Sequence, residues 1–177
     1  MPCAALERHP DAACEALRGV AASVTRNAGG GLEVAFVLDG EIERLRIRAP
    51  RTARMAQELW RHTCCEIFIA RRGAPAYREF NLSPSREWAA YEFTRYREGR
   101  LLRDEALAPG IVVRTAPGQL HLRACIPVAD AQELAIGLAA VVEEKNGALS
   151  YWALRHAPGK PDFHHPDAFA LTLAALP

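Results

Sequence analysis

Glu66 and Glu79 each stand in the middle of an apolar, β-forming run: Cys64-Cys65-Glu66-Ile67-Phe68-Ile69 and Tyr77-Arg78-Glu79-Phe80-Asn81-Leu82. Burying a carboxylate without a partner is costly, so each of them calls for a neighbour or a ligand. Side chains alternate across an extended strand. Cys65, Ile67 and Ile69 therefore share one face, and Cys64, Glu66 and Phe68 the other. In the second run Phe80 and Leu82 face away from Glu79 and Asn81. Two such strands side by side make a sheet that covers a core with one face and lines a cleft with the other. Carboxyls on the cleft face could divide the acid and base roles of glycoside hydrolysis. The plainer reading, preferred here, is a polar pair hydrogen-bonded across neighbouring strands.

The three tryptophans, Trp60, Trp88 and Trp152, fall in the same stretch or in Ser150 to Phe169. Trp60 and Trp152 sit at strand ends or strand–loop borders, where a flat indole face can stack on a sugar ring or a planar cofactor; Trp88 is assigned to the core or to wall packing. Six extended residues span ~20 Å, so Trp60 reaches Glu66 only by folding back from a loop. The segment after Trp152 concentrates His156, Lys160, Asp162, His164 and His165. His156, Asp162, His164 or His165 could ligate a metal, but their spacing matches no strong metal motif. His62, His156 or His164 could serve beside Glu66 and Glu79 in acid/base chemistry. Cys64 or Cys65 would need an oxyanion turn to act as a nucleophile, and none accompanies them. Walker, GxGxxG and GxSxG signatures are absent, and Gly29-Gly30-Gly31 reads as a turn.

The elements that must position these residues are short strands. Expected strands are Val20–Arg26, Leu32–Leu38, the run Glu41–Arg48, Cys64–Ala70, Ala76–Leu82, Glu87–Thr94, Ile111–Thr115, Leu120–Cys125, Leu134–Glu143, Leu149–Leu154 and Phe169–Leu173. Asn27 to Gly31, Asp39-Gly40, Ala116 to Gln119 and Asn146-Gly147 supply turns. Leu134–Glu143 is alanine-rich, which favours helix; interior Gly137 and weak helical periodicity decide for strand. Residues 1 to 19 read as an extended or weakly structured lead-in, and Arg95 to Gly110 as a loop. Roughly eleven strands with hardly a helix indicate an all-β, two-sheet antiparallel β-sandwich in one domain. Half of the 177 residues are hydrophobic, enough for a sizeable core. A net charge of +1 gives no field that would attract nucleic acid, and no apolar span is long enough to cross a membrane as a helix. Glu7, Arg8 and Asp11 interrupt the start where a signal peptide needs an apolar core, so the expected location is cytoplasmic. Five cysteines, an odd number with no CxxC pair, read as small buried hydrophobes rather than disulfides.

The blocks LW-R-H-T-C-C-E-I-F-I, Y-R-E-F-N-L-S-P-S-R-E-W-A-A-Y and S-Y-W-A-L-R-H…K-P-D-F-H resemble the bacterial DOMON-like proteins, related to carbohydrate-binding modules of family nine. The likeness covers about residues 30 to 175. It implies a two-sheet sandwich that binds sugars or haem. It implies further that Trp60 and Trp152 hold a saccharide end between them, with Glu66 hydrogen-bonding its hydroxyls. Asn81 stands where the family has a basic residue, and Arg61-His62-Thr63 where acidic groups are common, which puts the same sugar specificity in question. Haem-binding members use a Met/His pair, and the only methionines here are Met1 and Met55. The expectation is a non-catalytic domain binding a small molecule, a carbohydrate or sugar-containing metabolite, through Trp60, His62, Glu66, Glu79, Asn81, Trp152 and His156. No cofactor is expected; haem and calcium are the alternatives, as is an enzyme using Glu66 and Glu79 with a histidine. Nothing in the sequence speaks to oligomeric state.

Overall fold

The computed structural model describes residues 3–27, 29–128 and 130–176. Ala28 of the expected turn and Met1 lie outside the described residues. One sheet contains β1 (Ala4–Arg8), β2 (Leu17–Arg26), β3 (Leu32–Gly40), β10 (Gln119–Ile126) and β9 (Gly110–Ala116), in that order. The other runs β4 (Arg54–Met55), β7 (Glu87–Arg95), β6 (Tyr77–Leu82), β5 (Cys64–Arg71), β11 (Leu134–Glu143), β12 (Leu149–Ala153). To it are added β8 (Glu98–Leu101) on β7 and β13 (Leu171–Leu173) on β11. β1 belongs to both sheets: Ala4–Leu6 pair with β2, while Glu7 and Arg8 pair with β12. The pairings are antiparallel except for the two-residue match of β4 with β7.

Alternation decides what each face does. Val34, Phe36 and Leu38 of β3 and Leu120 and Leu122 of β10 point inward from one sheet. Ile67, Phe80, Trp88, Leu138 and Trp152 meet them from the other, forming one continuous core. The β-sandwich is therefore the observed fold. β11 has the bounds expected for it, and Gly137 has a packing reason to be there. A Cβ at that position would meet the Ala168 carbonyl oxygen and Phe68 Cβ at 3.3 Å, so its absence lets the chain after β12 lie close on the sheet.

Three expectations change. The run Glu41–Arg48 is no strand: Ile42–Arg44 form a 3-10 turn and only Leu45 bridges, to Glu144. Its alternating charges serve instead as counterions, Arg44 to Glu15 at 3.1 Å and Arg46 to the buried Glu143 at 3.2 Å. Arg95 to Gly110 is not all loop, because Arg97 adopts a left-handed φ of 56° that closes a hairpin into β8. That strand is exposed and edge-lying, which explains its polar composition. The lead-in contains a true strand, β1, with Leu6 in the core. All five cysteines are free; Cys64 and Cys65 are buried, Cys14 is half-buried, and Cys3 and Cys125 are exposed. No helix among the described residues is long and apolar enough to cross a membrane.

Candidate functional site

The outer face of the second sheet brings the candidate chemistry together. Register places Glu66 opposite Asn81 and Glu79 opposite Phe68, so the two glutamates are diagonal neighbours on one face. Tyr91 lies across from Glu79, Phe93 from Tyr77, and Tyr151 from Val141. Residues 154–170 fold back across this face as a lid. Phe163 is buried in the cluster of Phe68, Tyr77, Phe93 and Val141, and the Phe169 ring sits edge-on to Phe68 at 6.0 Å. Beneath the lid is a cavity of about 690 Å³, a size suited to a small organic ligand. Glu66 and Glu79 line it with Tyr91, Phe93, Tyr151 and Phe163. Trp60, Arg61, Arg97 and His164 also line it.

Trp60 reaches the cavity as the spacing required, by folding back. Leu59–Arg61 form a 3-10 turn after Glu58, whose left-handed φ of 56° turns the chain. Leu59 is buried against Cys64 and Ala89 and anchors the turn. Trp60 is left 47% exposed at the rim, with the Arg61 guanidinium 5.2 Å from its ring centroid.

The floor is acidic and buried. Glu66 is only 3% exposed, and its Oε1 is buried with no hydrogen-bond partner. Burial first, then the charge of Glu79, holds its carboxyl well above the usual range. Burial also pushes Glu79 up to about 7, although the Asn81 amide and Arg97 pull the other way. Asn81 Nδ2 donates to Glu79 Oε1 at 2.5 Å. His164 Nε2 lies 3.8 Å from Glu79 Oε2, and its Nδ1 is 2.9 Å from the Tyr77 hydroxyl. Burial, then the charge of Arg97, lowers His164 to about 4, so it is neutral at pH 7. The lid is fastened at Asp162, which accepts from the Tyr96 hydroxyl at 2.5 Å and from Arg97 Nη2 at 2.8 Å.

Of the seven expected site residues, Trp60, Glu66 and Glu79 line the cavity. Trp152 does not: its side chain is 5% exposed in the sandwich core, and its indole N–H donates to Ser150 Oγ at 3.0 Å. The reason is strand parity, since Tyr151 one residue earlier takes the cavity face. Asn81 is on the right face but fully buried, supporting Glu79 and accepting from the Cys64 thiol. His62 pairs with Glu143 at 2.7 Å, away from the cavity lining. His156 donates from Nε2 to the Glu7 carbonyl at 2.9 Å and packs edge-on against His9 at 4.9 Å. Tyr91, Phe93, Arg97 and Phe163 were missed; Tyr91 and Phe93 share the parity of Glu79 across the hairpin and were readable from it.

The four residues weighed for a metal are engaged elsewhere: His156 with Glu7, Asp162 with Arg97, His164 with Tyr77, and His165 with Asp167. Among the described residues no group of three or more His, Cys, Asp or Glu is arranged to hold a metal ion. Among the described residues no Met/His pair for haem faces the cavity, since Met55 packs against the core. Burial raises both the Cys64 and Cys65 thiols above their ordinary value, so neither is an activated nucleophile.

No protein-family model matches the chain, and no curated protein matches it. The fold is similar to that of a candidate carbohydrate-binding protein from Bacteroides uniformis. The TM-score is 0.68 at 14% identity, over 94% of this chain and 83% of the other. It is also similar to a family 9 carbohydrate-binding module from Caldicellulosiruptor kristjanssonii, in complex with cellotriose. There the TM-score is 0.50 at 10% identity, over 88% of this chain and 75% of the other.

Proposed function

We propose that this chain is a non-catalytic carbohydrate-binding domain of the DOMON-like kind, with its site in the cavity under the lid. The observation that carries this reading is the combination at one place of a half-exposed indole, aromatic walls and a buried glutamate whose Oε1 has no protein partner. Sugars offer C–H faces for aromatic stacking and hydroxyls for oriented acceptors. The fold likeness to proteins named for carbohydrate binding supports it. A panel of mono- and disaccharides tested by thermal shift checks it. A ligand at one hundred times its Kd stabilises by about 2.7 kcal/mol, a clear rise in melting temperature. No rise with any saccharide at millimolar concentration contradicts the reading.

A second reading has its own observation. Glu66, Glu79 and His164 converge on one cavity, and a carboxyl that titrates near 7 suits a general acid. Release of aryl alcohol from chromogenic glycosides, lost in both Glu66→Gln and Glu79→Gln, would establish catalysis. Equal rates in parent and variants would remove it.

A further inference from the structure

Five glutamates are buried among the described residues: Glu66, Glu79, Glu87, Glu143 and Glu144. The fold supplies positive charge to three of them. Glu87 takes Arg54 at 2.6 Å, Glu143 takes Arg46 at 3.2 Å, and Glu144 takes Arg44 at 3.7 Å. Glu144 also accepts the backbone N–H groups of Glu15 and Ala16. At the cavity floor the pattern breaks. Glu79 has the Asn81 amide and the neutral His164 ring, with Arg97 near enough to lower its carboxyl but not ion-paired to it, and Glu66 has no hydrogen bond or ion pair among the described residues. The two arginines in the cavity wall are already matched, Arg97 to Asp162 at 2.8 Å and Arg61 to Glu58 at 3.1 Å.

We propose that the cavity is built for a saccharide carrying a free amino group, whose ammonium supplies Glu66 and Glu79 with the cation the protein withholds. The proposal rests on the carbohydrate reading above and names the class of sugar. The ammonium donates three hydrogen bonds, enough to occupy both carboxyls. The surrounding Trp60, Tyr91, Phe93, Tyr151 and Phe163 rings line the same space and favour a cation over their faces. A neutral sugar would leave the protons of the floor in place, whereas an amino sugar displaces a carboxyl proton to solvent as it binds. Charged and titratable groups around Glu66 are Cys64 and Cys65 on its own strand, Glu79 from β6, Tyr91 from β7, Tyr151 from β12, Arg97 from the β7–β8 turn, Arg61 beside Trp60, and His164 from the lid. His164 is neutral above its pKa of about 4, so proton release between pH 5 and 7 comes from the carboxyls.

Calorimetric titration of the full chain with glucosamine, glucose and N-acetylglucosamine tests this. Glucosamine should bind at least tenfold more tightly than either, and its advantage should shrink as the pH falls from about 7 to about 5. Glu66→Gln should bring glucosamine and glucose to similar affinity. Glucose binding as tightly as glucosamine in the parent protein overturns the amino-sugar inference while leaving the carbohydrate reading standing. No binding by any of the three overturns both. These outcomes are read on the parent protein, so they hold even if the variant folds poorly.

Discussion

Glu66 is where fold and function separate most cleanly at the scale of a residue. It has no arginine to strand; Arg78 on the neighbouring strand pairs with Glu92 at 3.5 Å. Glu66→Gln should therefore leave the fold intact rather than cost the 3–5 kcal/mol of a broken buried ion pair. The loss should appear in affinity, on the order of 1.5–3 kcal/mol for a hydrogen bond to a charged group. A variant melting well below the parent contradicts this. pH dependence supplies the sign. Glu66 and Glu79 titrate above the ordinary 4.5 in the folded state, so the folded form keeps protons that the unfolded chain releases. Stability from this pair is thus present in acid and lost as the pH rises from 4.5 through about 7. His164 acts oppositely, losing stability as the pH falls from 6.5 towards about 4. Subtracting the variant's melting curve isolates the glutamate: the parent should lose melting temperature relative to Glu66→Gln as the pH rises above the ordinary carboxylate range. The tryptophans divide the same way. Trp152→Ala should cost about 3–5 kcal/mol of stability, as for a large core truncation. Trp60→Ala should change stability by less than about 0.5 kcal/mol and weaken saccharide binding several-fold. Equal effects of the two on denaturant midpoint would contradict these placements.

At the scale of the element, the lid and the β7–β8 hairpin hold each other through Asp162, Tyr96 and Arg97. Arg97 is about half in water, so the ion pair is worth roughly 1 kcal/mol. Asp162→Ala should raise the open population of residues 154–170 about fivefold, read as faster amide exchange there with β5, β6 and β11 still protected. Unchanged exchange would show that the aromatic cluster alone secures the lid. This element also marks the limit of what the sequence shows. Residues 150 to 169 stand out in the sequence by their histidines, tryptophan and aspartate, but which of them face the cavity depends on how the loop folds back. Lid residues Phe163 and His164 carry no period and could not be assigned a side. The strands were legible because period-two alternation is local: the β5 and β6 faces follow directly from Cys64 to Leu82. Trp152 reads as a strand-border indole, but the same alternation puts Tyr151 beside Val141 and sends Trp152 into the core.

For the whole molecule, β1 stitches one sheet to the other, pairing with β2 through Ala4–Leu6 and with β12 through Glu7 and Arg8. Within the stretch 1 to 19, expected as a weakly structured lead-in, Ala4–Arg8 give little local signal because the five residues bury only Leu6 and their pairing is entirely long-range. Deleting residues 1–9 should expose two strand edges at once and abolish the cooperative thermal transition; a transition kept at the parental temperature would show that the sheets do not need this strand. The central claim, that a saccharide occupies the cavity against Trp60, is tested most directly by iodide quenching of tryptophan emission with and without sugar. Trp88 and Trp152 are buried and Trp60 is exposed, so the quenchable fraction should belong to Trp60 and vanish in Trp60→Phe. Saturating saccharide should shield that fraction from iodide in the parent protein. Quenching that no saccharide alters, or shielding that persists in Trp60→Phe, would contradict the site.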